Sequence, residues 1–133
     1  MSDRKTRILV VEDEYLSAQY FKAILEREGY EVIGTAATSQ QAIDFVEKHE
    51  PEVICMDIGL GNSAAGIDLA RRIQGFSAAA IIFVTGYQNN STIRDRAMEL
   101  KPRAYLVKPI NVKDLVAAIE DVSGEEGNHG SRR

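Results

Sequence analysis

The feature of this sequence that most constrains its fold is a fivefold alternation of short apolar runs with segments of helical periodicity. Four of the five runs are continuously apolar and do not alternate with polar residues. Strands of this kind are buried on both faces, which is typical of a parallel sheet with helices on each side. The intervening segments of about ten to fifteen residues suit the crossovers of βαβ units. The pattern therefore predicts an α/β fold with a doubly wound, parallel, five-stranded sheet.

The ends of the predicted elements follow from run length, helical spacing and capping residues. The first helix is expected at Tyr15–Glu28, with Leu16, Tyr20 and Ile24 on its buried face and Phe21 and Leu25 beside them. Further helices are expected to begin at Ser39, near Gly66, after a cap at Asn90 or Ser91, and after a cap at Asn111. The strands are expected at Arg7–Val11, Tyr30–Thr35, Val53–Met56, Ala80–Val84 and Ala104–Val107.

The length and composition are those of one globular domain. The chain has 133 residues, of which 44% are hydrophobic and 27% are charged. The apolar pattern ends after Val122, and the segment beyond it contains three glycines and no large apolar residue. We therefore expect one domain at residues 1–122 and a flexible C-terminal tail at residues 123–133.

The composition also limits the cellular compartment in which the protein is expected and the kinds of molecule that it can bind. The single cysteine, Cys55, cannot form an internal disulfide, which suits a reducing compartment. The chain contains no apolar stretch of about 18 residues that could span a membrane, and its start does not have the pattern of a signal peptide. A cytoplasmic protein is expected. The formal net charge of −4 disfavours direct, non-specific binding of nucleic acid.

Four of the apolar runs stop at reactive polar side chains, which are Glu12-Asp13, Asp57, Thr85 and Lys108-Pro109. Ligands of open α/β sheets bind in the crevice outside the carboxyl ends of the strands, so these side chains are expected to converge. Three carboxylates in one crevice would repel one another strongly. A divalent cation removes that repulsion, and an all-oxygen ligand set without histidine or cysteine favours Mg²⁺, with Mn²⁺ as a substitute.

The same residues are suited to phosphoryl transfer. The ammonium of Lys108 and the hydroxyl of Thr85 can each bind a phosphoryl oxygen. No serine, cysteine or histidine stands at a strand end, so a carboxylate is the candidate nucleophile. Asp57 ends the run expected at the centre of the sheet and is the best-placed acceptor, while Glu12 and Asp13 are better placed to hold the metal.

Taken together, these residues resemble the receiver domain of bacterial two-component response regulators over about residues 5–122. The resemblance implies a flavodoxin-like sheet with strand order 2-1-3-4-5. It implies that Asp57 is the phosphoacceptor, that Thr85 and Lys108 bind the phosphoryl group, and that Tyr105 is an aromatic switch residue. It also implies a cis Lys108-Pro109 bond and a Mg²⁺ site formed by Glu12, Asp13, Asp57 and the backbone carbonyl of Gly59.

The resemblance further implies how such a chain signals. A sensor histidine kinase or a histidine phosphotransfer protein in a phosphorelay would donate the phosphoryl group to Asp57. The surface formed by the fourth helix, the fifth strand and the fifth helix (the α4-β5-α5 face) would then change and bind a downstream protein. The chain would be a signalling domain and not a turnover enzyme, and would be a monomer or a phosphorylation-dependent dimer.

Two departures from the family pattern concern loops beside the site. The segment from Gly59 to Ala65 is one residue longer than usual, and it lacks the proline common four residues after the acceptor. Gly86-Tyr87 replaces the frequent Ala-X after Thr85, and Tyr87 is predicted to shade the phosphoryl group and slow its hydrolysis.

Several alternatives remain open from the sequence. The chain could be a complete single-domain receiver or the receiver part of a longer regulator. A hydrolase of the haloacid-dehalogenase type also uses an aspartyl nucleophile, but it usually has a second aspartate where this chain has Gly59. A scaffold without phosphorylation is disfavoured by the intact set of site residues.

Apart from Lys108, residues 94–113 contain five bases and two acids, which is typical of a solvated basic face and also suits an acidic partner.

Overall fold

The predicted α/β sheet is present in the structure, a computed structural model that describes residues 4–60, 64–86 and 89–127, with backbone only from 122 to 127. All strand pairings are parallel, as the apolar runs predict, and the strand order is β2-β1-β3-β4-β5, as the resemblance implies. The strands are β1 (Arg7–Val11), β2 (Glu31–Ala36), β3 (Val53–Asp57), β4 (Ala80–Thr85) and β5 (Ala104–Val107). The helices are α1 (Tyr15–Arg27), α2 (Ser39–His49), α3 (Ala65–Gln74), α4 (Ser91–Met98) and α5 (Val112–Gly127).

The sheet divides the core into two layers because successive strand residues point to opposite faces. One layer packs the sheet against α2, α3 and α4 and includes the fully buried Met56 and Phe83. The other layer packs it against α1 and α5 and includes Cys55 and Ile82. Burial on both faces explains why β1, β3 and β4 are continuously apolar in sequence. The layered core holds the carboxyl ends of these strands side by side at one edge.

The predicted buried face of α1 is partly wrong. Leu16 is 80% exposed and Tyr20 is 57% exposed, whereas Phe21, Ile24 and Leu25 are buried. Because an α-helix has 3.6 residues per turn, Leu16 lies roughly 180° around the axis from Leu25. Once Leu25 faces the sheet, Leu16 must face solvent. Ile24 lies at the margin of the buried stripe, which is why it could be assigned to either side.

The predicted caps at Asn90 and Asn111 and the predicted start of α2 are confirmed. Asn90 accepts a hydrogen bond from the Ile93 amide at 2.9 Å, and Asn111 accepts one from the Lys113 amide at 2.8 Å. The second helix begins at Ser39 as predicted, but its capping side chain is Thr38, which accepts from the Gln41 amide at 3.1 Å.

The C-terminal helix is longer than the apolar pattern suggests. α5 continues beyond Val122 to Gly127, although the extension contains two glycines, which have poor helix propensity. The division into a domain at 1–122 and a mobile tail at 123–133 stays a prediction, and residues 128–133 lie outside the described part of the chain. In the described ranges, every helix is too short or too polar to cross a membrane.

Candidate functional site

Three carboxylates meet at the carboxyl edge of the sheet, as the sequence predicts. Glu12, Asp13 and Asp57 each place one oxygen within 4.8 Å of the others. Asp57 is the last residue of β3, and Glu12 directly follows the neighbouring strand β1, so the parallel pairing of these strands brings them together. Glu12 is 4% exposed and Asp57 is 8% exposed, whereas Asp13 faces solvent.

Local hydrogen bonds stabilise part of this negative charge. The amide of Glu14 donates to Glu12 Oε2 at 3.1 Å, and the amide of Gly59 donates to Asp57 Oδ1 at 3.1 Å. The ammonium of Lys108 lies 3.4 Å from Glu12 Oε1. Lys108 follows β5, and its amide donates to the carbonyl of Thr85 at 2.8 Å, which ties the lysine loop to the end of β4. The lysine ammonium is thus placed at the buried side of the carboxylate cluster.

The buried carboxyl groups are more difficult to ionise than exposed ones. Burial raises the pKa of Asp57, and the Asp13 charge adds to this, against the opposing effects of Lys108 and the Gly59 amide. Burial also raises the pKa of Glu12, helped by the Asp57 charge and opposed by the Glu14 amide and Lys108. Three hard oxygen donors, two of them on buried carboxyl groups, form a site that is chemically suited to Mg²⁺, whose charge stabilises the anionic forms.

Thr85 provides a buried hydroxyl at the same edge. Its side chain is fully buried, and within the described residues Oγ1 has no hydrogen-bond partner. A buried hydroxyl without a partner costs about 1–3 kcal/mol, so such a group is expected where a ligand supplies the missing bond. Asp57 pairs with Val84 in the sheet, which puts Thr85 one residue beyond the level of the acceptor.

Tyr105, the predicted switch residue, lies in β5 on the same face of the sheet as Thr85. Its hydroxyl donates to Asn89 Oδ1 at 2.8 Å, and the guanidinium carbon of Arg94 lies 4.8 Å from the ring centroid. Burial raises the pKa of Tyr105, against the opposing effects of the Arg94 charge and the nearby Thr85 hydroxyl. The two hydroxyl groups are therefore neighbours, although Thr85 Oγ1 makes no hydrogen bond of good geometry.

Two predicted site features concern the loop after β3, and a third, Tyr87, concerns the segment after β4. The amide of Gly66 donates to the carbonyl of Ile58 at 2.7 Å, and a Cβ at position 66 would lie 2.2 Å from the carbonyl oxygen of Asp57. The loop therefore packs directly against the acceptor backbone. That the Gly59 carbonyl is a metal ligand stays a prediction. Residues 61–63 and the predicted shading residue Tyr87 lie outside the described part of the chain.

The Lys108-Pro109 peptide bond is cis, as the resemblance implies. Asn89 and Arg94 were not identified from sequence as contacts of Tyr105. From sequence alone, an asparagine before a helix is interpreted as a helix cap, and an arginine on an exposed helix face is interpreted as a charge that contacts only solvent. Neither residue type carries a local signal for contact with an aromatic ring on a later strand.

Comparison with known proteins agrees with this geometry. Residues 8–120 match the response regulator receiver domain. This chain belongs to that family. As a receiver it is similar to the transcriptional regulatory protein PdtaR of Mycobacterium tuberculosis, with 36% identity over 86% of this chain and 55% of PdtaR. It is also similar to the chemotaxis protein CheY of Thermotoga maritima, with 27% identity over 88% of this chain and 97% of CheY.

The solved structures give the same fold. The receiver domain protein (CheY-like) of Methanospirillum hungatei aligns with a TM-score of 0.81 and 29% identity, covering 94% of this chain and 99% of that chain. The fold is therefore the flavodoxin-like receiver fold of two-component signal transduction. The receiver spans about half the length of PdtaR, so the activity of any longer protein does not follow from the match. Receiver domains are signalling domains and not turnover enzymes.

Proposed function

We propose that this receiver accepts a phosphoryl group on Asp57 from a histidine kinase or a histidine phosphotransfer protein. The observation that carries the proposal is the convergence of a buried acceptor carboxylate with two further carboxylates, an ammonium and a buried hydroxyl that has no partner within the described residues. Among these groups Asp57 is the nucleophile, because it is the carboxylate that ends β3 beside Thr85.

The proposed transfer is an in-line displacement at phosphorus. An oxygen of Asp57 forms the new P–O bond while the P–N bond of the donor phosphohistidine breaks, and that electron pair returns to the imidazole. Lys108 exchanges Glu12 for a phosphoryl oxygen, and Thr85 donates its hydroxyl to another. Glu12, Asp13, Asp57 and the Gly59 carbonyl would hold Mg²⁺. The metal would neutralise charge on the carboxylates and the phosphoryl oxygens.

The proposed output is a shift between two side-chain packings. When Thr85 turns toward the phosphoryl group, it vacates space beside Tyr105, and the ring turns inward. The α4-β5-α5 face then changes and binds a downstream protein, through a monomer or a phosphorylation-dependent dimer. The neighbouring positions of Thr85 and Tyr105 support this coupling. The cytoplasmic location and the absence of direct nucleic-acid or membrane binding stay predictions from composition.

The proposal is tested by incubating the protein with Mg²⁺ and acetyl phosphate and measuring its intact mass. We expect the mass of one added phosphoryl group, lost on treatment with hydroxylamine because an acyl phosphate is cleaved by that nucleophile. Asp57→Asn is expected to abolish the addition. Asp68→Asn, which changes an exposed aspartate on α3, is the matched control and should leave it intact. An unmodified parent protein, or addition that persists in Asp57→Asn, would contradict the proposal.

A further inference from the structure

Two side chains outside the proposed phosphorylation chemistry hold the ring of Tyr105. Asn89, between β4 and α4, accepts the tyrosine hydroxyl hydrogen at 2.8 Å. Arg94, on the first turns of α4, places its guanidinium over the ring at 4.8 Å from the centroid. A guanidinium within about 6 Å of a tyrosine ring centroid is attracted by the negative face of the ring. Both contacts act on the one side chain that is expected to move when the switch is set.

The ring contact also occupies Arg94. In the described structure Arg94 is exposed to solvent, and its ring contact is with a side chain that must move for signalling. By contrast Arg96, two residues later, lies 3.4 Å from Asp68 on α3, which does not depend on Tyr105. If Tyr105 turns inward, Arg94 loses the ring face while Arg96 keeps its carboxylate partner. The switch therefore changes the availability of one particular cation.

The surroundings of Arg94 indicate what would bind it. Met98 lies one turn further along α4 and is 43% exposed, and Val107 lies on the same face of β5 as Tyr105 and is 42% exposed. Lys101, shortly after the end of α4, and Lys113, at the start of α5, are exposed in a stretch where bases outnumber acids. We name the set Arg94, Met98, Lys101 and Val107 the α4–β5 surface. Its apolar residues combined with positive charge suit a partner segment with carboxylates and apolar side chains.

We propose that Arg94 is held on the ring of Tyr105 in the unphosphorylated receiver and is released by phosphorylation to bind an acidic, partly apolar segment of the downstream protein at the α4–β5 surface. This inference rests on the proposed function, because the inward turn of Tyr105 depends on phosphorylation of Asp57. A carboxylate can accept two parallel hydrogen bonds from a guanidinium, a stronger contact than the face of an exposed ring offers. Release therefore favours the partner once the ring has moved.

Nucleic acid is the less suitable occupant of this surface. The receiver is acidic overall, with a formal net charge of −4, so a polyanion meets a favourable charge only locally. The exposed large side chains of the surface are Met98 and Val107, which are not stacking platforms for bases. A short acidic peptide avoids the distant negative charges of the receiver and can use both apolar positions.

The first test follows Arg94 directly. The NMR signal of its side-chain Nε–H is recorded with Mg²⁺, before and after addition of beryllofluoride, which mimics an aspartyl phosphate. Before addition, the ring of Tyr105 should shift the Arg94 signal away from its position in the Tyr105→Leu variant, which has no ring. After addition, the Arg94 signals of the parent and of Tyr105→Leu should coincide. The Arg96 signal is the internal reference and should move little. An Arg94 signal that stays in place while beryllofluoride is bound would overturn the inference.

The second test measures recognition. The probe is a fluorescein-labelled, capped hexapeptide of alternating glutamate and leucine, and binding is followed by fluorescence anisotropy. Beryllofluoride should tighten binding about fivefold, the effect of one exposed charge pair. Arg94→Gln should remove this gain. Arg27→Gln, which makes the same charge change at the end of α1, should keep it. Equal gains in the two variants, or stronger binding of a labelled DNA duplex than of the peptide, would contradict the inference.

Failure of the proposed function and failure of the role of Arg94 give different results. If the proposed function is wrong, acetyl phosphate adds no mass to the parent protein and beryllofluoride changes no signals at Asp57. If only the role of Arg94 is wrong, the parent and Arg94→Gln are both phosphorylated, and beryllofluoride changes the peptide affinity of Arg94→Gln as much as that of the parent. Intact-mass measurement of every variant used for binding therefore separates the two outcomes.

Discussion

Replacement of Gly66 by alanine tests how closely the loop after β3 packs on the acceptor. A Cβ at this position would lie 2.2 Å from the Asp57 carbonyl oxygen and 2.7 Å from the Ile58 Cα. Ordinary van der Waals contact begins at 3.4 Å, so the two backbone segments must separate by 1.2 Å (3.4 minus 2.2). Neither neighbour is the end of a flexible side chain, so the strain cannot be relieved by a rotamer change.

The expected loss of stability can be assembled from three contributions. Overpacking of rigid surroundings costs about 3 kcal/mol at the upper end of its usual range. Separation weakens the 2.7 Å hydrogen bond from the Gly66 amide to Ile58, a further loss of about 1 kcal/mol. Alanine regains about 1 kcal/mol because glycine is more flexible in the unfolded chain. The net loss is about 3 kcal/mol. With an unfolding entropy of about 0.28 kcal/mol/K for a chain of this length, Tm falls by about 11 °C.

The assay is thermal and urea unfolding followed by far-ultraviolet circular dichroism, since the chain has no tryptophan. Gly75→Ala is the matched control, because its Cβ would lie 3.2 Å from the Arg72 carbonyl oxygen and its φ of −70° suits alanine. That variant should stay within about 0.5 kcal/mol of the parent. Gly66→Ala should also accept phosphoryl groups more slowly, because the Asp57 backbone is displaced. Equal stability of the two variants would refute the close packing of this loop.

Three further outcomes are expected. Mg²⁺ at ten times its Kd should stabilise the parent by about 1.4 kcal/mol, which raises Tm by about 5 °C. The Asp13→Asn variant should lose most of this rise in Tm. An equal rise in that variant would show that Mg²⁺ binds elsewhere. Burial raises the pKa of Cys55 to about 12, so at pH 8 only about one thiol in ten thousand is ionised. Iodoacetamide should therefore label the urea-unfolded chain and not the native one, and rapid native labelling would contradict that burial. Asn90→Ala should lower the unfolding free energy by about 1 kcal/mol, because it removes the side chain that caps α4. Asn90→Ser should lower it much less, because serine can also cap a helix. Equal losses in the two variants would show that the side-chain hydrogen bond to the Ile93 amide is unimportant.

The chemistry of the site could be predicted because it depends on order along the chain. In a parallel sheet every strand ends at the same edge, so the residue that follows an apolar run is assigned to the crevice without knowledge of the packing. Glu12, Asp57 and Thr85 satisfy this rule, and the structure buries all three. The run-and-helix alternation likewise predicted the sheet, because each strand buried on both faces must lie between helices.

Contacts that depend on the exact placement of two side chains could not be predicted in this way. The hydrogen bond from Tyr105 to Asn89 joins a strand to a loop of the preceding unit. The Tyr30 hydroxyl donates to Glu120 Oε2 at 2.5 Å, across 90 positions of sequence. Neither pair has a spacing that repeats or a residue type that requires the other. Such contacts appear only when register, twist and rotamers are known together.

The error on α1 shows a further limit and suggests how it could be reduced. The helix has two apolar stripes on nearly opposite sides, one through Leu16 and Tyr20 and one through Phe21 and Leu25, and periodicity alone supports both. The sheet selects the second stripe, in which neither side chain has a polar atom. Burial of Tyr20 against apolar strands would leave a hydroxyl without a partner, at a cost of about 1–3 kcal/mol, whereas Phe21 and Leu25 carry no polar side-chain atom. Weighing each stripe by the polar atoms it would bury, and not only by its apolar residues, would have placed Leu16 and Tyr20 in solvent.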